Sequence, residues 1–452
     1  MRRTKLVAAR ARKGWTLEVA AEQVGCAPNT LSRWELGTMT PSAYNKARLR
    51  AVYGMTDEEL GLAEEVLPEH LKFGRDFQSL LESDATMRLM ALVFTPHCNY
   101  KELQLVLVRT IEELSMNTGH DAALTRREAL QRLAMLPLLL SMSGGRPRPM
   151  DDTLNQLAAG ITSCEYLSRG NYEDMSLALS MLSSYLPVLK TIASESSTYR
   201  KQATELIAQS YLIKHVLVLH VGNPGEATRD GKLAVTYSKE SGDVLLQVTA
   251  LRRLTWSYLQ DKQPRQALKT IEQAAYLINK SQVSLAPQVC SGIYSTLAVI
   301  QAKNGLSTTS ALEQAQRFFF EPAAETDARI QGDFNYAQLM RNDGLARYHR
   351  GYYSDALKAF AQVIDPNTLS SKVAMAKRTR VELLHYQTMA TMKSPERDLE
   401  RAIVLWVAEV REAAALRSQK SFDEATMAYE VMQGVWPGEA RVLDLRDLLV
   451  HW

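Results

Sequence analysis

The sequence predicts an all-α protein: a short helical unit at the N-terminus, then a long helical solenoid. Three observations predict it. Gly (22) and Pro (15) are few for 452 residues, about 8% against roughly 12% in average usage. No segment alternates with the two-residue period of a strand. A loop, then an aromatic or Pro, then an Ala recurs: Asn223-Pro-Gly-Glu-Ala227, Gln263-Pro-Arg-Gln-Ala267, Gly305 to Ala311, Gly351-Tyr-Tyr-Ser-Asp-Ala356 and Lys420-Ser-Phe-Asp-Glu-Ala425, with a weaker copy at Gly170-Asn-Tyr172. Self-similarity at a period of about 40–45 residues signals stacked helix pairs.

Residues 14–41 hold the densest information. Thr16 is an N-cap, because its hydroxyl can accept from an amide of the first turn. Glu18 complements the positive end of that helix. Val19, Ala20 and Val24 are small apolar residues that let a second helix approach. Gly25 permits the sharp turn. Pro28 suits a first helical turn, where a missing amide costs little. Leu31 and Trp34, at i and i+3, face inward and leave Asn29, Thr30, Ser32 and Arg33 outside. Gly37 is expected as the C-cap.

This block resembles the lambda-repressor-like helix-turn-helix family through Leu6, Arg10, Gly14, Thr16, Ala20, Ala21, Gly25, Thr30, Leu31, Ser32, Trp34, Glu35, Gly37 and Pro41. The resemblance covers roughly residues 4–60. It implies that the second helix reads bases in the major groove of double-stranded DNA through Pro28, Asn29, Thr30 and Arg33, with Ser32 beside them. Two positions depart from the family pattern: Leu17 stands where Gln contacts phosphate, and Ala27 where Ser or Thr caps. Charge agrees. Residues 1–55 hold ten Lys or Arg against three acids, +7, so the remainder of the +3 chain carries −4. A basic module on a slightly acidic body fits one that alone meets phosphates. Lys13, Thr16, Lys46 and Arg48 flank the turn and are expected to position the module on the backbone.

After Pro41 a helix is expected from Ser42 to Tyr53, stopping at Gly54. Thr56-Asp-Glu-Glu59 is a capping box and starts another. Pro68, Gly74, Pro96 and Asn99 punctuate a connecting stretch; 101–116 and 121–142 read as amphipathic helices; Ser143 to Pro149 is the clearest loop. The expected domains are therefore 1–66, a connecting region 67–150, and the solenoid 151–452. Arg126-Arg127 and the apolar run to Met142 imitate an export signal, but the run is about ten residues where a span needs around twenty. A buried helix kinked at Pro137 is the reading, with no membrane association and a cytoplasmic location expected. Cys26, Cys98, Cys164 and Cys290 stand far apart, and His215 and His220 do not share a helix face. No metal, no cofactor and no disulfide framework are expected.

Met340, Gly344, Gly351-Tyr-Tyr353, Ala356, Phe360 and Pro366 make the best repeat and resemble the tetratricopeptide pattern of small residues where helices cross and aromatics in the gaps. The resemblance implies that first helices line a concave face. Counting back from each turn alanine, the inward candidates are Gln209, Thr249, Arg252, Trp256, Gln338, Arg341, Tyr348, His349 and Arg417. Arginines, amides and aromatics together suit an extended peptide, whose amides and carbonyls need partners.

A helix-turn-helix module ahead of such a body resembles the Rgg/Rap/NprR/PlcR/PrgX group of bacterial regulators. That resemblance implies a homodimeric transcription regulator of the quorum-sensing kind, tuned by a short signalling peptide in the solenoid. The other class is a DNA-tethered scaffold that recruits a protein and takes no small ligand. An enzyme is not expected: no Gly-rich phosphate loop, metal cluster or nucleophile motif is present. Apolar Leu443, Leu448, Leu449, Val450 and Trp452 mark the C-terminal helices as the expected part of a dimer surface.

Overall fold

The computed structural model describes residues 4–36, 41, 43–56, 59, 60, 62, 89, 92, 93, 99–116, 120–142, 149–196, 198–281, 285–320 and 334–450. The chain divides into two compact units, Met1–Phe77 and Gln78–Trp452. Among the described residues there is no strand, only an isolated bridge between Ile364 and Ser371. The expected Gly37 cap, the breaks at Pro68, Gly74 and Pro96, the loop 143–148 and Trp452 lie outside the described residues.

The first unit holds α1 (Thr4–Arg12), α2 (Leu17–Val24), α3 (Pro28–Glu35) and α4 (Ala43–Tyr53). Thr16 Oγ1 accepts from the Val19 amide at 3.3 Å and starts α2. Gly25, at φ +70°, ends it, and the Cys26 amide returns to the Ala21 carbonyl at 2.9 Å, a closure that needs a left-handed residue. Pro28 begins α3 behind Ala27, which makes no side-chain cap bond. Leu6, Ala20, Ala21, Val24, Leu31, Trp34 and Leu49 are fully buried between the helices. Val19 is not among them: it is 39% exposed. Ala20, Ala21 and Val24 make one face of α2, and Val19 falls about 100° beyond its edge. Gly54, at φ +66°, stops α4. The capping box is reciprocal, Thr56 N–H to Glu59 at 2.8 Å and Glu59 N–H to Thr56 Oγ1 at 3.3 Å. Leu60 and Leu62, just after it, are buried in the same core.

The second unit begins with α5 (Tyr100–Met116), capped by Asn99 Oδ1, and α6 (His120–Met142), which contains Pro137. Helix pairs follow: α7 (Met150–Leu167) with α8 (Tyr172–Glu195), α9 (Arg200–His220) with α10 (Pro224–Ser241), α11 (Val244–Gln260) with α12 (Pro264–Lys280), α13 (Pro287–Lys303) with α14 (Thr309–Phe320), α15 (Tyr336–His349) with α16 (Tyr353–Phe360), and α17 (Lys377–Lys393) with α18 (Leu399–Leu416). Then come α19 (Gln419–Val435), α20 (Ala440–Asp444) and α21 (Asp447–Val450). Leu103, Leu107, Leu130 and Leu133 share one core with α7 to α9. The stretch read as connecting therefore belongs to the body from α5 onward. Tyr172–Glu195 is long and apolar enough to cross a membrane by length and composition; here it packs on α7 and α9.

The turn alanines Ala227, Ala267, Ala311 and Ala356 are all buried, because each sits where its helix crosses its partner. The Lys420–Ala425 copy is misplaced. Lys420 lies inside α19, and the turn is at Arg417–Ser418. The true continuation is Ala402, fully buried four residues after the capping Asp398, as Ala227 follows Asn223. In the best repeat an added Cβ on Gly344 would meet the Phe360 ring closer than carbon atoms can sit. Gly344→Ala is thus expected to lower stability by about 1–3 kcal/mol through overpacking. Pairing it with Phe360→Leu, which vacates the space, should recover part of the loss in urea unfolding.

The array also closes on itself. Val381, Ala413 and Leu416, near its end, join the core formed by α5 to α9, and α19 meets α9. Leu448 and Leu449 are half-buried against the chain's own second core. Leu443 remains half exposed.

Candidate functional site

In the first unit, Leu31 and Trp34 anchor α3, and the opposite side presents Pro28, Asn29 and Arg33 exposed with Thr30 and Ser32 half-buried. This is the arrangement the sequence predicts. The anchor is reinforced by an ion pair the sequence reading passed over. Arg10 grips Glu35 with two bonds, Nε to Oε1 at 2.6 Å and Nη2 to Oε2 at 3.0 Å, and gives a third to the Trp15 carbonyl at 3.2 Å. It ties α1 to the end of α3. Arg48 is also engaged: its Nη1 donates to the Gly25 carbonyl at 3.3 Å. A Cβ at Gly25 would run into that guanidinium, so the glycine serves both the turn and the packing of α4. Lys13 is exposed, with Nζ 5.8 Å from the centre of the Trp15 ring; Lys46 is half-buried. The Thr16 hydroxyl is spent on its own helix, accepting from the Val19 amide and hydrogen-bonding the Glu18 carboxylate.

In the second unit the expected inner residues fall into separate groups. Gln209 is buried and accepts from Gln104 Nε2 at 2.9 Å. Thr249 is buried, and Arg252 lies over the Phe334 ring at 5.7 Å. Gln338 donates to Thr379 Oγ1 at 2.9 Å. Trp256 and Arg341 do come together, guanidinium carbon 4.7 Å from the ring centre. Tyr348 and His349 pack edge-on with Tyr386. Arg417 is not on a first helix. It is the left-handed cap of α18, at φ +46°, and lies 5.2 Å over the Tyr172 ring.

A network of charged residues that no sequence pattern marks lies beside Trp256. Arg341 Nη2 binds Glu382 at 2.8 Å; Glu382 also accepts from Lys420 Nζ at 2.9 Å; Lys420 reaches Glu424 at 3.1 Å. Trp256, Arg341, Glu382, Lys420 and Glu424 thus form one chain across α11, α15, α17 and α19. Burial alone would raise the Glu382 carboxyl, but Arg341 and Lys420 overcome it and hold it well below the usual carboxylate range. Burial would likewise lower Lys420, and Glu382 and Glu424 raise it instead. Glu382 and Lys420 are therefore both charged at neutral pH. Its chemistry is that of a site for charged, hydrogen-bonding groups beside a flat aromatic. Arg341 Nε and His349 Nε2 are buried without a hydrogen-bond partner among the described residues.

Two buried histidines, His215 and His220, and the half-buried His349 give the unit a pH dependence. Burial pushes His215 down to about 4. His220 falls to about 3 through burial with Lys420 and Arg378 nearby, and His349 to about 3 through burial with Lys303 and Lys393 nearby. All three stay neutral in the fold where an unfolded histidine takes a proton. Their stability contribution is complete above about pH 6.5 and is lost as pH falls, toward about 4 for His215 and about 3 for His220 and His349, by about 1.4 kcal/mol per pH unit for each. His385 works the other way: burial would lower it, but Glu409 at 2.9 Å raises it. Urea midpoints should therefore drop markedly between pH 7 and pH 5; equal midpoints would contradict the assignment.

A helix-turn-helix domain family profile matches residues 4–63. No curated protein matches the chain. Among solved structures, similarity is found to Bacillus thuringiensis PlcR in complex with the peptide PapR7 and DNA, at 13% identity over 70% of this chain and 93% of that one, TM-score 0.29. The tetratricopeptide-repeat sensor protein of the signal-transduction ATPase class from Pyrococcus horikoshii shows 12% identity over 93% and 71%, TM-score 0.33. The Cut9–Hcn1 assembly of the APC/C shows 14% over 90% and 73%, TM-score 0.31.

Proposed function

We propose that this chain is a sequence-specific transcription regulator that binds a double-stranded DNA operator as a homodimer and is controlled by a ligand, a short peptide, on the inner wall of its helical body. The observation that carries the DNA half is α3. Its inner side is locked by Leu31, Trp34 and the Arg10–Glu35 pair, and its outer side offers an amide, hydroxyls and a guanidinium where a major-groove helix needs them. The ligand half is supported by the charged chain beside Trp256. A peptide brings a carboxylate, an amine and unpaired backbone groups, and the wall holds partners for each. The fork of Arg341, expected for a ligand carboxylate, already holds Glu382. A ligand carboxylate would compete with that side chain.

Arg33→Ala is expected to cost about 1–3 kcal/mol on the operator and to relax preference at one base pair. Lys13→Ala should weaken all sequences alike and flatten the salt dependence. Duplexes selected from random sequence by the full chain supply the operator for both measurements. Equal losses on operator and random DNA for Arg33→Ala would show a phosphate contact. A receptor should also gain thermal stability from its peptide, about 2.7 kcal/mol at a hundred times Kd. A scaffold would gain none and would instead hold a protein partner.

A further inference from the structure

A helical array is held together by contacts between neighbouring repeats. This one has an additional interface that neighbour stacking does not supply. Arg378 of α17 donates to the Ser168 carbonyl, just after α7, at 2.7 Å. His220, the last residue of α9, meets Ser418, the cap of α19, at 3.1 Å, and both are buried. A Cβ on Gly222 would lie 2.9 Å from Gln419. These contacts join residues about two hundred positions apart, and everything from α11 to α16 lies between them in the chain.

We propose that this seam is a gate: α17 to α19 part from α7 to α9 as a body, giving access to the inner wall, while the hairpins between remain packed. The chemistry of the seam suits reversible opening. Its direct links among the described residues include the Arg378–Ser168 carbonyl bond, the His220–Ser418 pair, in which Ser418 Oγ also reaches the His220 carbonyl at 3.5 Å, and Arg417 laid on Tyr172, polar contacts that water can replace. Its apolar part is limited to Val381, Ala413 and Leu416 among the buried residues of the late helices. Neighbour pairs, by contrast, share long buried faces, as in α13, where residues 290–300 are all buried. The gate also adjoins the charged chain: Glu382 and Lys420 stand on the two elements that carry Arg378 and Ser418. Opening does not depend on the ligand being a peptide, so the gate can fail while the proposed function stands, and the reverse.

Thiol reactivity tests it in the full chain, because the body carries its own controls. Cys164 in α7 and Cys290 in α13 are buried within neighbour-packed helices. In Ser418→Cys, the new thiol is expected to react with a neutral maleimide about ten-fold or more faster than Cys164 and Cys290, site by site in mass spectrometry, because it is exposed by a local opening of lower free energy. Adding Arg378→Ala should speed the residue-418 thiol several-fold again and leave Cys164 and Cys290 unchanged. His220→Cys, on the other side of the seam, gives the same readout should the first variant lose its helix cap and unfold. A thiol at either position as slow as Cys164 and Cys290, or an Arg378→Ala effect that speeds all three alike, would overturn the proposal.

Discussion

Replacing Glu382 with alanine is expected to lower the stability of the helical body by about 3–5 kcal/mol, the cost of leaving buried charge without its partner. Glu382 compensates two cations at once, Arg341 at 2.8 Å and Lys420 at 2.9 Å. Lys420 would keep Glu424, but Arg341 would keep only Asn342 Oδ1, at 3.0 Å, and the Trp256 face. The sign with pH follows from the depressed carboxyl: its contribution is present above the unfolded carboxylate range and disappears as pH falls below it. The difference in urea midpoint between wild type and Glu382→Ala should therefore be full at pH 7 and shrink as pH falls below about 4. Glu382→Gln, which retains a hydrogen-bond acceptor, should fall between. A Glu382→Ala protein as stable as wild type at pH 7 would mean the network contributes nothing net.

The second large effect is expected in the small unit. Glu35→Ala removes both strong bonds from Arg10 and leaves a guanidinium only about a fifth exposed. A loss of about 3 kcal/mol is comparable with the whole stability of a domain this size, at about 0.05–0.15 kcal/mol per residue. The variant should lose affinity for every DNA sequence, together with the early thermal transition of the module. Arg33→Ala should keep that transition and lose affinity for the operator alone. The contrast separates a residue that holds α3 from one that reads DNA.

The N-terminal unit was legible in the sequence because its signals are local. Thr16, Gly25 and Pro28 each fix a backbone state through their own chemistry, and Leu31 with Trp34 marks a face at helical spacing. Val19 was misread because a short helix beside three apolar neighbours does not state where its buried arc ends. The Arg10–Glu35 pair spans twenty-five residues and leaves no local trace. The solenoid was legible through alanines that must be small where helices cross. Its phase slipped at Ala425, which follows its cap by seven residues where Ala227 and Ala402 follow theirs by four. That slip hid Glu382, Lys420 and Glu424, and with them the ion-pair chain beside Trp256. Gln209 and Thr249 stand on first helices, but both are buried by neighbouring helices, Gln209 against Gln104 of α5. Closure is a contact between ends, and no periodicity encodes it.

The central claim is that the exposed side of α3 reads a defined sequence in two copies. The most direct measurement is selection of duplexes from a random pool by the purified full-length chain, followed by footprinting of the enriched site with wild type and Arg33→Ala. The account predicts an enriched site with two related half-sites about one helical turn, roughly 34–36 Å, or a multiple of it apart, with both protected together and both weakened by Arg33→Ala. A pool that yields no enriched sequence, or a single half-site protected by a monomer and indifferent to Arg33→Ala, would contradict it.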